Sequence, residues 1–200
     1  MTTQTAKHPS NDPFNGLDTQ AMVQTVDALR RDKALARFEF RASNTWIDGV
    51  ENRSAIQGFF GAGAEDRSRS RPFEFTSGEP PVLLGHNEGA NPAEFLLHAL
   101  AGCVTTTTVL HATARGIRIE SISTELSGDI DLQGLLDLDK AVPAGYRQLT
   151  MTMDIKADCS DADLDDLLKF VHGHSPVCDT ICRPVPVVIK RLSRGEPEPE

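Results

Sequence analysis

Between Asn91 and Gly116 lie 24 residues that read as one long helix. Asn91 is a good N-cap, Pro92 at the first helical position gives up no needed N–H, and Gly116 suits a left-handed C-terminal cap. At ~1.5 Å per residue the helix spans roughly 36 Å. It is apolar nearly all round, and the hydroxyls of Thr105 to Thr108 can bond back to the helix backbone. Such a helix must be buried, under a sheet or between subunits. The rest of the chain has to supply that cover.

The other segments are mostly strand-like. Phe38, Phe40, Ala42 and Trp46 keep a period of two. Asp48-Gly49 reads as a type I′ hairpin turn with a return strand over 50–60. A polar loop follows over 61–71, then a short strand at Phe73 and Phe75. Glu79 to Gly85 is expected to be extended because of Pro80-Pro81. After the helix come a strand within 117–132, a connection over 133–145 and a strand within 146–158. That last strand shows the clearest alternation, at Leu149, Met151, Met153 and Ile155. Ser160 caps a helix over 161–172, a short helix starts at Pro176, and a last strand is expected over Val185–Leu192. Hairpin-linked strands around isolated helices predict an α+β fold with an antiparallel sheet. Upstream, residues 1–36 read as an extension: a flexible lead-in over 1–16 and one amphipathic helix over 19–35. Residues 194–200 read as a disordered acidic tail.

Composition narrows the function. The net charge of −9 argues against a nucleic-acid partner. No run of 18 apolar residues predicts a membrane span, and residues 1–7 lack the apolar stretch of a secretory signal, so a cytoplasmic location is expected. Four cysteines without a signal are expected to be reduced thiols, catalytic groups or metal ligands.

Two cysteine contexts favour thiol chemistry. Cys178 follows Ser175-Pro176-Val177, a helix start whose free N–H groups can favour a thiolate. Cys103 is too deep in its helix for that help and needs a cation or donor from elsewhere. At ~100° per residue, Leu96, Ala99, Thr106, Thr107 and Leu110 share its face, whereas Glu94 falls on the opposite side. Cys159 reads as incidental, and Cys182 as core or as a second partner for Cys178. His98 and His111 read as core or interface histidines. His172, His174, Cys178 and Cys182 match zinc in kind, but the spacing is poor for a zinc motif, so no metal is expected.

Asn91-Pro92-x-Glu94, the run Leu-Leu-x-Ala-Leu-Ala-Gly-Cys103 and Ser175-Pro176-Val177-Cys178 together resemble the OsmC/Ohr family of thiol-dependent peroxidases, over about residues 37–193. The resemblance implies an intertwined homodimer in which a curved antiparallel sheet wraps a long central helix. It implies a peroxidatic thiol at Cys103, a resolving thiol at Cys178, organic hydroperoxides as substrate, a dithiol reductant of the lipoyl type, and no cofactor. In its best-known members a glutamate directly follows Asn-Pro; here Ala93 intervenes and the acid is Glu94. Those members also use an arginine at the thiol. Arg53 is the first candidate and Arg71 the second. A module of the same fold that binds a small apolar molecule without turnover is the competing reading.

Overall fold

The computed structural model describes residues 13–192. Of the flexible lead-in expected over 1–16, residues 1–12 lie outside the described residues, as does the acidic tail over 194–200, whereas 13–16 are docked on the fold.

Residues 13–17 form a docked turn. Asn15 and Gly16 both have positive φ, 50° and 78°. The Asn15 amide donates to Thr113 Oγ1 at 3.1 Å and to the Ile117 carbonyl at 2.9 Å, and its oxygen accepts from the Ile119 N–H at 2.9 Å. α1 (Thr19–Arg31) is capped by Asp18, whose carboxylate accepts from Ala21 N–H. It stops short of the expected residue 35 because Asp32 caps a separate 3-10 turn, Lys33–Ala36.

Six short strands follow: β1 (Glu39–Phe40), β2 (Ser43–Asp48), β3 (Glu51–Ile56), β4 (Phe59–Gly61), β5 (Ala64–Asp66) and β6 (Phe73–Ser77). They form two antiparallel three-stranded sheets, β1-β4-β5 and β2-β3-β6. The first hairpin turns on Gly49-Val50, and only Gly49 has positive φ, at 50°. That resembles a type II′ turn, not the I′ turn expected at Asp48-Gly49. The expected polar loop over 61–71 hides a second hairpin. Its turn residues Ala62 and Gly63 both take positive φ, 50° and 82°. Residues Pro81–Leu83, expected to be extended, make a 3-10 turn with proline in its first position, where no N–H is needed.

α2 (Pro92–Arg115) has the bounds read from sequence. Asn91 and Glu94 close a capping box, and Gly116 caps the end at φ 73°. Thr107, Thr108 and Thr113 return their hydroxyls to the carbonyls of Cys103, Val104 and Val109. β7 (Ile119–Gly128), α3 (Leu132–Leu135) and β8 (Leu149–Ala157) come next, and β7 and β8 form a two-stranded antiparallel sheet. Alternate β8 residues from Leu149 to Ala157 turn inward. α4 (Asp161–His174) starts at Ser160, whose Oγ accepts from Asp163 N–H, and α5 (Pro176–Cys182) follows it directly.

The core lies between α2, β7–β8, α4 and α5. It is built on Leu100, Val104, Ala112, Ile117, Leu167 and Val171. The architecture is therefore α+β, with antiparallel sheets and one long helix. Among the described residues the single chain carries three small sheets instead of one curved sheet. The strand expected over Val185–Leu192 is not formed: Val187 and Ile189 are 82% and 94% exposed. α2 is long and apolar enough to cross a membrane by length and composition alone. Here it packs on β7, α4 and α5, as a core helix does.

Candidate active site

The corner between α4 and α5 builds the site. Ser175 closes α4 by donating its N–H to the Val171 carbonyl at 2.8 Å, and its own carbonyl opens α5 by accepting from Asp179 N–H at 2.8 Å. Its side chain is fully buried but makes no cap bond to α5. The hydroxyl instead donates to Cys103 Sγ at 3.2 Å, and Val177 N–H donates to the same sulfur at 3.4 Å. Two donors aimed at one sulfur stabilise negative charge that develops there. The helper that Cys103 needs is therefore the start of another helix. The first-turn N–H expected to serve Cys178 serves Cys103.

Cys178 is in a different state. It is buried in the core cluster, and its Sγ lies 3.9 Å from Cys182 Sγ. Burial, then the hydrogen bond and charge of Cys182, then Cys103 and Asp179, push its thiol up to about 11. This reverses the expectation of an activated Cys178, because desolvation outweighs a helix start whose N–H is already used. Cys182 is exposed. Cys159 packs against the core, and burial with Asp163, Asp158 and Asp161 nearby raises its pKa.

The two thiols open onto different spaces. Cys178 lines a cavity of about 660 Å³ with Leu96, Leu100, Met151, Met153 and Val171. Cys103 lines a shallower groove of about 420 Å³ with Thr106, Leu110, His111, His174 and Pro176. On the wall of that groove the ring of His174 stacks on Phe170 at 3.7 Å, and its Nδ1 meets the Phe170 carbonyl at 2.7 Å. Burial, then the neighbouring His174 and Arg115, hold the His111 pKa below its ordinary value. His98 is exposed in the single chain, so of the two expected positions, core or interface, it does not take the core one.

Glu94 accepts from the Asn91 N–H at 2.8 Å and completes the cap of α2. Nine residues separate it from Cys103, roughly 13 Å along the axis. Arg53 lies on β3, half exposed, 3.7 Å from Glu51 Oε1. Arg71 is exposed in the loop before β6. Within one chain the structure brings together Cys103 and the Ser175–Cys178 turn, and leaves Glu94 and Arg53 apart from them. Ser175 and Val177 were missed as functional groups. The serine-proline pair that signals a helix start was visible, but nothing local says that its donors point at another helix.

A cysteine of a long central helix, seated on a second cysteine-bearing helix turn beside antiparallel sheets, defines a class of thiol-bearing α+β proteins. The chain belongs to the OsmC-like protein family: residues 85–190 match its family model, a span that includes both thiols but not Arg53. An OsmC-like protein from Mycoplasma pneumoniae has the same fold, with TM-score 0.54 at 16% identity over 72% of this chain and 87% of that one. An OsmC-like protein of unknown function from Vibrio cholerae gives 0.51 at 12% identity over 71% and 92%. An organic hydroperoxide resistance protein, OsmC, from Legionella pneumophila gives 0.50 at 15% identity over 71% and 88%. No curated protein matches the chain in sequence.

Proposed function

We infer that the protein is a thiol-dependent peroxidase that reduces organic hydroperoxides to alcohols. The observation that carries this reading is the pair of donors, Ser175 O–H and Val177 N–H, on the sulfur of Cys103 at the edge of an open groove. The Cys103 thiolate attacks the peroxide; an S–O bond forms as the O–O bond breaks, and the alkoxide takes a proton and leaves as the alcohol. Cys178 then attacks the sulfenic acid. A disulfide forms and the oxygen departs as water. An external dithiol, of the lipoyl type, reopens the disulfide. No cofactor takes part. The apolar lining of both spaces favours alkyl peroxides over hydrogen peroxide, and a cytoplasmic location belongs to the same reading.

The working form is a homodimer with intertwined chains. Its support is the amount of apolar surface one chain leaves open: Trp46 is 68% exposed on β2, and Leu96 and Leu110 are exposed on the Cys103 face of α2. In such a dimer the 185–192 segment gains a strand partner from the other copy, and the small sheets join into one curved sheet. Arg53 and Glu94 reach Cys103 only from that second copy.

The test is turnover of cumene hydroperoxide with a dithiol reductant. Wild type turns over and Cys103→Ser does not. A wild type without turnover leaves the competing reading, a binding module. The largely apolar cavity of about 660 Å³ favours that reading in its place.

A further inference from the structure

We propose that His172, Cys178 and Cys182 form a binding site for a thiolate-seeking divalent cation of the zinc class. In sequence these residues match no zinc knuckle, and spacing alone argues against the site. The fold removes that objection. Cys178 and Cys182 stand one turn apart on the same face of α5, and the corner at Ser175 sets the last turn of α4, with His172, against them. One ligand atom from each residue lies within 4.8 Å of the other two.

The two sulfurs stand 3.9 Å apart as free thiols in contact. With Zn–S bonds of ~2.3 Å, the edge of a tetrahedral site is roughly 3.8 Å, so the sulfurs already stand at ligand spacing. His172 is exposed, so its ring can swing the last fraction of the way. His174 is not a ligand, because its Nδ1 faces the Phe170 carbonyl and its ring lines the other groove. Asp179 is held by Arg183 at 2.6 Å.

The chemistry selects the ion. Two thiolates and an imidazole prefer zinc to calcium or magnesium. On binding, two S–H bonds are lost, two metal–sulfur bonds form, and both protons leave to solvent. The resulting unit of one dication and two thiolates is neutral, which suits the buried position of Cys178. All three ligands line the large cavity, so the fourth position opens into it and takes water or a small donor molecule. If Cys178 also resolves the Cys103 sulfenic acid, as in the function proposed above, metal and disulfide compete for one sulfur. That consequence rests on the peroxidase reading; the site itself does not.

The test is titration of the reduced, chelator-treated full-length protein with Co²⁺ and then Zn²⁺. The expected result is one equivalent of Co²⁺ with thiolate-to-cobalt charge-transfer absorption, displaced by one equivalent of Zn²⁺. Cys182→Ser and His172→Ala, checked for folding by circular dichroism, should each weaken Co²⁺ binding by more than the roughly 10–100-fold that outer-shell changes cost. Cys159→Ser should bind as wild type does. Absence of the charge-transfer band, or binding indifferent to Cys182→Ser and His172→Ala, overturns the proposal. Peroxide turnover is not part of the readout, so loss of the peroxidase reading leaves this result standing.

Discussion

Ser175 gives its hydroxyl proton to Cys103 Sγ at 3.2 Å, across 72 positions of sequence. The contact binds the α4–α5 corner to the middle of α2. If Cys103 reacts as proposed, Ser175→Ala removes one hydrogen bond to a sulfur that carries charge in the reaction, worth ~1.5–3 kcal/mol. Iodoacetamide labelling of Cys103 at neutral pH should slow by about 10-fold or more, given ~1.36 kcal/mol per factor of ten. An unchanged rate would mean that the hydroxyl is only filling space.

Cys178 should behave as a reluctant thiol. Its folded value, about 11, lies above the ordinary cysteine value because of burial and then Cys182. Its alkylation, followed by peptide mapping, should be slow near neutrality and climb as pH approaches that value. Cys182→Ala removes two raising effects and should shift the profile to lower pH. The linkage has a definite sign. The folded state holds this proton more tightly than the unfolded chain, so its contribution to stability is whole below the unfolded value and is lost as pH rises through the folded one. A Cys178 that labels as fast as a small-molecule thiol at neutral pH contradicts the burial argument.

Much of the fold was legible because local chemistry and tertiary context agree. The caps Asn91, Gly116 and Ser160 fixed the ends of helices, and the alternation from Leu149 to Ile155 fixed β8. The misses have physical reasons. The Ala62-Gly63 hairpin was hidden because an alanine holds a positive-φ position that sequence reading reserves for Gly, Asn or Asp. Val185–Leu192 has a strand's composition but no strand beside it in one chain. At the site, the meeting of Cys103 with the Ser175–Cys178 turn followed from the family resemblance. The direction of the donors did not, because it depends on how two helices pack.

Glu94 has a demonstrable structural task, closing the capping box with Asn91. Asn91→Ala should cost about 1 kcal/mol of stability in urea unfolding. Glu94→Gln keeps the hydrogen-bonding pattern of the box and should fall within about 0.5 kcal/mol of wild type. A large loss in Glu94→Gln would show that its charge, not its acceptor oxygen, holds the helix.

Arg53 sits in a half-exposed ion pair with Glu51 in the single chain. If a second copy carries it to Cys103, Arg53→Ala slows Cys103 alkylation at neutral pH, while Arg71→Ala leaves it unchanged. Equal rates for Arg53→Ala and wild type take Arg53 out of the site.

Gly102 offers a test of the proposed dimer. It is exposed beside Cys103, and a Cβ there meets nothing within 4 Å of the same chain. In an isolated exposed helix, Gly→Ala should stabilise by ~1 kcal/mol. If the proposed intertwined dimer covers this face, Gly102→Ala should instead weaken the dimer, as read by sedimentation at falling concentration. Stabilisation by the full amount, with an unaltered oligomer, would place this face in water.

The most direct test is peptide mapping after one equivalent of cumene hydroperoxide is added to the reduced, metal-free protein. The expected result is a crosslinked pair of peptides carrying Cys103 and Cys178, absent in Cys103→Ser. Oxidation confined to other residues, with Cys103 still a free thiol, would contradict it.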